Sequence, residues 1–406
     1  MSETTVIVGA GHAAGMLTTT LIQKKYDGKI VIVGEEAHLP YQRPPLSKAY
    51  LSGEVELSSL YLKPQETYDK AGVTLSLDTR VEAIDRDSRE LTLADGSGLT
   101  YDNLVLATGS QVRRIPVPGA DLDGIHYLRT IADVDALRPA LTAGQRLVIV
   151  GGGYIGLEVA AVAAKLGVSV TVLETEGRVM ARVTGETISR YFERKHREAG
   201  VDLRTGTRVV AFEAGDDGQV SGVTCDDGST VPADLVLVSI GIQPETTLAE
   251  AAGLPCDDGI LVDEYTRTDD PHILAIGDCT RHRNLYFDQP VRLESVANAV
   301  DQARTAAATL TGGDQPYNAA PWFWSNQYDL RLQMVGLSEG HDATAIRGNP
   351  DDDAFAVFYL KQGKLVAVDA VNMPPAFMAG KKLVGARAAV EPATLIDLDV
   401  DLKSIM

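Results

Sequence analysis

The stretch at residues 147–174, LVIVGGGYIGLEVAAVAAKLGVSVTVLE, constrains the fold more than any other part of the chain. An apolar run, 147–150, reads as a buried strand and enters Gly151-Gly152-Gly153, with Gly156 three residues on. A helix follows with Leu157, Val159, Ala160, Val162, Ala163 and Leu166 on its apolar side. Gly167 ends it, and a second strand, 168–173, finishes on Glu174. Gly151 permits the tight turn, Gly153 lets a pyrophosphate approach the backbone, and Gly156 lets the helix pack closely on the strand. The helix N-terminus, with free N–H groups and a positive dipole end, suits the phosphates. Glu174 stands about 20 residues past the turn, where a carboxylate accepts hydrogen bonds from a ribose 2′-OH. It would repel a 2′-phosphate, so NADH is expected over NADPH. Arg178 and Arg182 follow closely and work against that preference, although an arginine there also suits the NAD pyrophosphate.

The same grammar occurs at the start of the chain. A strand at 6–8 enters Gly9-Ala10-Gly11-His12-Ala13-Ala14, a G-x-G-x-x-A fingerprint. A helix to about Lys25, a strand at 30–33 and the acidic pair Glu35-Glu36 follow. Of that pair Glu35 is favoured for the adenine-side ribose. A lone fingerprint is weak, but two that each keep strand, turn, helix and acid imply two dinucleotides in two nucleotide-binding domains.

A chain of 406 residues holds two or three domains. Its net charge of −19 argues against nucleic acid and anionic membranes as partners. No apolar run is long enough to span a bilayer, and MSETT has no basic n-region of a signal peptide. Cys225, Cys256 and Cys279 stand far apart, which fits a reducing cytoplasm and excludes a disulfide framework or cysteine-ligated cluster. The histidines show no metal-binding spacing.

Between the fingerprints, PYQRPPLSKAYL (40–51) reads as an extended entry fixed by prolines, with LSKAYL starting a helix. Strands are expected at 73–77, 79–85, 90–93 and 104–107, the last running into Thr108-Gly109 where the chain leaves its first domain. A helix at 130–142 leads to the second fingerprint. Beyond Glu174 come a helix at 185–199 and strands through 235–240, which end in Gly241-Ile242-Gln243-Pro244, a second exit. Short strands at 263–268 and 273–276 precede Gly277-Asp278-Cys279. That aspartate suits a ribityl hydroxyl or a pyrophosphate-linked group, or serves as a plain turn residue. Cys279 reads as a small buried residue. An alanine-rich helix spans 297–310. From Pro321 the chain changes character, with Trp322, Phe323, Trp324 and Tyr328 close together. Strands at 330–335, 354–360 and 364–371 and a helix near 376–383 make a small α+β domain.

RPPLSK (43–48), GGGYIGLEVA (151–160), GDC (277–279), RLESV (292–296) and PWFWSNQ (321–327) resemble the FAD-dependent, NADH-using ferredoxin reductases of bacterial oxygenase systems. The resemblance covers residues 5 to 395. The implied fold is that of the glutathione-reductase-like flavoproteins: α/β, with two Rossmann-like domains, the FAD domain interrupted by the NAD domain, and a C-terminal α+β domain. The expected segments are 1–115 and 244–320 for FAD, 116–243 for NAD and 321–406 for the C-terminal domain. With the turn residues Gly9, Gly11 and Ala14, the resemblance assigns Ala13, Glu35, Arg43, Lys48, Val81, Arg129, Asp278 and Val296 to FAD. It assigns Gly153, Ile155, Glu158, Glu174, Arg182, Gly241 and Glu294 to NAD, beside Gly151 and Gly156. It implies a Lys48–Glu158 ion pair beside flavin and nicotinamide, and Trp324 at the flavin edge. Disulfide reductases carry a cysteine pair on the first-domain helix facing the flavin, and NADH oxidases and peroxidases carry a single cysteine there. Residues 41–49 contain none, so thiol chemistry is excluded.

The implied reaction moves a hydride from NADH to FAD and single electrons on to a 2Fe–2S ferredoxin serving an oxygenase, expected to be a haem monooxygenase. The ferredoxin is expected to be acidic, so docking on this acidic chain needs a local basic patch. Arg304 is the candidate by family position, with some of Arg331, Arg347, Lys361, Lys364, Lys381, Lys382 and Arg387. A monomer is expected. Two other readings stay open at this point: an NADH oxidase or diaphorase delivering to oxygen or quinones, and an apoptosis-inducing-factor-like flavoprotein acting by binding partners.

Overall fold

Short runs of valine, isoleucine and leucine that are buried on both faces become parallel strands, and two such sheets organise the chain. The computed structural model describes residues 2–284, 286–287 and 289–405. Met1 and Met406, the outer limits of the first and last expected segments, lie outside the described residues. The chain divides into two units.

The first unit comprises Met1–Arg43, Leu57–Gln111 and Gln243–Pro321. Its five-stranded sheet runs Ile273–Ala275, Asn103–Leu106, Thr4–Val8, Lys29–Val33, Thr74–Ser76, all parallel. The helix His12–Gln23 makes the crossover from Thr4–Val8 to Lys29–Val33. It contains three successive threonines, poor helix formers because their hydroxyls compete with the backbone. Thr18, Thr19 and Thr20 resolve this by donating to the carbonyls of Ala14, Gly15 and Met16 at 2.9, 2.8 and 2.7 Å. Ala14 and Leu17 of this helix share a core with Ala299, Ala303 and Ala306 of the alanine-rich helix Val296–Leu310. The small side chains let the two helices pack closely.

The second unit comprises Pro44–Glu56, Val112–Ile242 and Trp322–Met406. Its parallel sheet runs Asp202–Thr205, Ser169–Glu174, Arg146–Val150, Leu235–Val238, Ile125–His126. The helix Tyr154–Lys165 makes the first crossover. In both sheets the fingerprint strand is central and the strand after the helix is its neighbour, the arrangement that places the glycine turn at the carboxyl end of the sheet. The last part of the unit is an antiparallel sheet: Trp322–Gln327, Leu330–Gly336, Lys364–Val371, Ala354–Lys361, Ala343–Asn349. The helix Pro374–Gly385 packs on it through Phe377, Leu383 and Val384.

Two expected elements differ. LSKAYL starts no α-helix: a single 3₁₀ turn, Pro44–Ser47, passes into turns that end at Gly53. Pro44 and Pro45 set the first turn, but Tyr50 N–H reaches back five residues to Pro45 O instead of four. The strand expected at 263–268 is instead Ile260–Val262. Residues 263–268 form a turn in which Asp263 accepts from the N–H groups of Tyr265 and Arg267. The strands Trp322–Gln327 and Ala343–Asn349 were not read from the sequence.

Candidate active site

Each fingerprint builds the same backbone. Gly9 has φ +106° and Gly151 φ +109°, values that side-chain-bearing residues rarely adopt. A Cβ on Gly9 would lie 2.2 Å from Ala107 O, and one on Gly151 2.3 Å from Ser239 O. Gly156 is equally obligatory, since its Cβ would stand 2.3 Å from Gly151 O. Gly11 and Gly153 are different. A Cβ there would meet nothing within 4 Å, so their missing side chains leave open space at the N-cap of each helix. Neither helix has a side-chain cap or an acidic residue in its first turn, so the leading N–H groups are left for an anion. These cradles fit the pyrophosphates of two dinucleotides.

In the first unit Ala13 and Ala14 are buried and Val81 is buried on its own strand, Val81–Asp85. Gly277 turns at φ +86° against Ala13, and Asp278 accepts from Ser110 Oγ at 3.1 Å. Burial pushes the His12 imidazole below its ordinary range, partly offset by the Asp278 carboxylate. Its Nδ1 is buried with no hydrogen-bond partner among the described residues. The acidic pair separates. Glu36 takes Arg43 at 2.7 Å and the Tyr41 hydroxyl at 2.6 Å, while Glu35 is 72% exposed with Arg80 at 3.5 Å. Val296 opens its helix behind the Ser295 cap. Glu294, assigned to NAD, belongs to this first unit and pairs with Arg292.

In the second unit Glu174 closes back on its own turn. Its Oε2 accepts from Gly152 N–H at 2.7 Å and its Oε1 from Glu176 N–H at 2.7 Å. Arg182 reaches towards Gly241, with an Nη 3.4 Å from where a Cβ would be. Arg178 does not compete for a 2′-phosphate: its guanidinium donates to Thr184 O, Ser189 Oγ and Ala181 O at 2.8, 2.6 and 2.8 Å. Ile155 is half-buried on the first turn of the helix. Arg129 belongs to this unit, and its N–H donates to Asp133.

The densest chemistry surrounds Glu158, whose side chain is 4% exposed. Lys48 Nζ lies 2.5 Å from its Oε2, and Ser47 Oγ donates to the same oxygen at 2.5 Å. Ser325 Oγ donates to Oε1 at 2.7 Å. Helix and strand periods bring these groups together. Tyr154 and Glu158 are four apart on the helix, a rise of about 6 Å. Phe323 and Ser325 are two apart on the strand, a rise of about 6.8 Å. So Tyr154 packs against Phe323 with the rings tilted and their centroids 4.8 Å apart, while Glu158 meets Ser325. Trp322 and Trp324 alternate to the other face, with their rings stacked 5.5 Å apart. Sequence reading found Lys48 and Glu158 but not the two serines. The period-2 alternation of 322–327, once that segment is taken as a strand, is the signal that would have singled out Ser325.

Burial raises all three cysteine thiols, Cys256 to about 11, so none is a poised thiolate. Arg347 is no member of a basic surface: it is buried and donates to the carbonyls of Leu395, Asp397, Leu398 and Val400. Arg304 is 56% exposed beside Asp301, and Lys381 lies over Trp322 at 4.5 Å.

Two parallel sheets, each with a glycine turn and an uncapped helix N-terminus, define a two-dinucleotide oxidoreductase. The profile of the pyridine nucleotide-disulphide oxidoreductase family matches residues 3–303, and that of the reductase C-terminal family residues 322–406. A putidaredoxin reductase of Pseudomonas putida is 46% identical over 100% of this chain and 97% of its own length. The putidaredoxin reductase in a crystal structure of its covalent complex with putidaredoxin superposes with a TM-score of 0.97, at 46% identity, covering 99% of this chain and 98% of that one. The ferredoxin reductase for the CYP199A2 system of Rhodopseudomonas palustris superposes with a TM-score of 0.96, at 43% identity, covering 99% of each chain. The chain belongs to the pyridine nucleotide-disulphide oxidoreductase family. It is a flavoprotein of the ferredoxin-reductase type, with FAD and NADH as its two dinucleotides. No helix among the described residues is long and apolar enough to cross a membrane.

Proposed function

We propose that this protein takes electrons from NADH and passes them singly to an acidic 2Fe–2S ferredoxin that serves an oxygenase, specifically a haem monooxygenase. The four segments 1–115, 116–243, 244–320 and 321–406 act as the interrupted FAD domain, the NAD domain and the C-terminal domain, in a cytoplasmic monomer. The pairing of Lys48 with the buried Glu158, in a chain with no cysteine at 41–49, is the observation that carries this reading. Bound FAD supplies the hydride acceptor and the single-electron donor.

The protein's own residues position and balance charge. The turn at Gly9, Gly11, Ala13 and Ala14, with Arg43, Val81, Arg129, Asp278 and Val296, holds FAD, and Glu35 takes its ribose. The turn at Gly151, Gly153 and Gly156, with Ile155, Arg182, Gly241 and Glu294, holds NADH, and Glu174 takes the adenine-side ribose. Lys48 is the movable charge: it neutralises Glu158 at rest and turns to negative charge beside the flavin when nicotinamide arrives. Trp324 marks the side from which electrons leave. Arg304 of the first unit is the positive group proposed to meet the ferredoxin on this acidic protein, with Lys381 and Lys382 of the second unit as further candidates.

Stopped-flow bleaching by NADH and NADPH, followed by steady-state transfer to purified 2Fe–2S ferredoxins across a salt series, tests the reading. Fast bleaching by NADH with salt-sensitive transfer to a ferredoxin is expected. Efficient delivery only to oxygen or quinones would overturn it.

A further inference from the structure

Ser325 is the inner end of a longer buried chain. Gln327 Nε2 lies 3.2 Å from Ser325 Oγ, His196 Nε2 lies 2.8 Å from Gln327 Oε1, and the Tyr328 hydroxyl lies 3.0 Å from His196 Nδ1. Ser325, Gln327 and His196 are each 0% exposed. Building on the roles proposed for Lys48 and Glu158, we propose that Ser325, Gln327, His196 and Tyr328 are positioning residues. They form a one-way chain of hydrogen bonds that holds the Glu158 carboxylate still while Lys48 changes partner.

The direction follows from the carboxylate. A Glu158 oxygen paired with Lys48 only accepts, so Ser325 must spend its one proton on Oε1. Ser325 Oγ must then accept from the Gln327 amide. This turns the amide oxygen to His196, which must carry its proton on Nε2. The Nδ1 of the neutral ring is left as an acceptor, and Tyr328 donates to it. Each link admits one donor, and every donor points towards Glu158. Burial lowers His196 to about 4 and raises Tyr328 to about 12, so ring and hydroxyl keep these protonation states at neutral pH.

A structural role alone would not build this chain. Buried polar groups cost stability unless every one is satisfied, and apolar side chains would join the helix Glu186–Glu198 to the strand Trp322–Gln327 more cheaply. Tyr328 also stands at φ +58°, in the two-residue turn between Trp322–Gln327 and Leu330–Gly336. Asparagine or glycine suits that position, and a tyrosine there is strained. What tyrosine adds is the hydroxyl on His196. Ser47 shares its carboxylate oxygen with Lys48, whereas the chain holds the other oxygen. Glu158 therefore keeps one full anchor when the ion pair opens.

Long-range ¹H–¹⁵N NMR of the ¹⁵N-labelled holoprotein tests the direction, with His196 assigned by the peak lost in His196→Asn. The expected result is the Nε2–H tautomer, unchanged from pH 5.5 to 9. The Nδ1–H tautomer would overturn the proposal. Ser325→Ala should slow flavin reduction by NADH about tenfold with KM within about twofold, and Ser325→Thr should restore it. Tyr328→Phe removes one hydroxyl from a surface turn and is the variant least able to disturb folding. It should keep the Nε2–H tautomer, because the carboxylate end sets the direction, whereas Ser325→Ala frees the Gln327 amide to turn over and should leave His196 as a mixture of tautomers. An unmixed Nε2–H tautomer in Ser325→Ala, or Ser325→Thr as slow as Ser325→Ala, would reduce the chain to packing and overturn the proposal. Failure of the wild type to bleach with NADH would overturn the underlying reading instead, and the tautomer decides the chain separately.

Discussion

The two glycine turns share one backbone and use their acids in opposite ways. Gly9 N–H donates to Val33 O at 2.7 Å and Gly151 N–H to Leu173 O at 2.8 Å, with nearly equal positive φ and equally blocked Cβ positions. In the second turn Glu174 folds back onto Gly152 N–H, so acid and turn set one another. In the first, Glu36 is held by Arg43 and Tyr41, and Glu35 is left to solvent and Arg80. Main-chain sterics repeat wherever the motif repeats. The fate of the acid depends on arginines and a tyrosine that the motif does not contain.

The largest expected effects test the shared part. Gly9→Ala and Gly151→Ala each combine strain with a backbone clash and should cost about 3–5 kcal/mol. In the dinucleotide-free protein Gly11→Ala and Gly153→Ala should leave thermal stability within about 0.5 kcal/mol. Instead Gly11→Ala should lose FAD and Gly153→Ala should weaken NADH binding about tenfold or more. Thermal unfolding with NADH titration separates the two classes. A Gly153→Ala variant that unfolds, or a Gly151→Ala variant that does not, would break the parallel.

The units also differ in buried charge. Among the described residues the buried carboxylates, Glu158, Glu193 and Asp369, all belong to the second unit. Asp369 accepts from Thr184 and Tyr359 hydroxyls, and burial lifts its carboxyl to about 6. A folded value raised above the unfolded one means the native state binds the proton more tightly. Asp369 therefore adds about 3 kcal/mol as pH falls from about 6 to about 4, and loses it again as pH rises. His196 in the second unit and His282 in the first are both depressed to about 4 by burial. Their sign is opposite: stability present above about 6.5 is lost as pH falls towards 4. Acidification to pH 5 should thus weaken hydrogen-exchange protection in the first unit more than in the second. Asp369→Asn should remove the difference, and equal loss in the wild type would refute this account.

The central strands, both turns and both crossover helices were legible because their signals are local: glycines at fixed spacing and a change of period from 2 to 3.6. The strand at 322–327 was not, because its two tryptophans and a phenylalanine read as an aromatic cluster without polar alternation. Lys48 and Glu158 were placed by resemblance, since 110 positions separate them and no periodicity links such residues. Ser47 was missed for the same reason, and Ser325 because its strand was not read. Arg347 was misread because composition cannot distinguish a solvated arginine from one satisfied by four carbonyls.

Ion pairs come next in size. Lys48→Ala leaves Glu158 buried with two hydroxyl donors and should cost about 2–3 kcal/mol, below the full penalty of a broken buried pair. Arg43→Ala removes a pair whose side chains are 26% and 27% exposed, and should cost about 1 kcal/mol. Urea unfolding at pH 7.5 gives both values. Equal costs would mean that burial does not separate the two pairs.

The smallest stability effect decides the most about the first turn. Arg80 and Glu35 are 62% and 72% exposed at 3.5 Å, so Arg80→Ala should change stability by no more than about 0.5 kcal/mol. Glu36→Gln should cost about 1 kcal/mol, because Arg43 and the Tyr41 hydroxyl lose a charged acceptor. Retention of FAD should rank the other way. Glu35→Gln, almost silent in unfolding of the FAD-free protein, should release FAD about tenfold faster, as expected when a ribose loses a carboxylate partner. Glu36→Gln should keep FAD nearly as well as the wild type. The reverse ranking would make Glu36 the ribose acid and would mean that Arg43 gives it up when FAD binds. The first turn would then use its acid as the second uses Glu174, and the contrast between the two turns would hold only until the dinucleotide arrives.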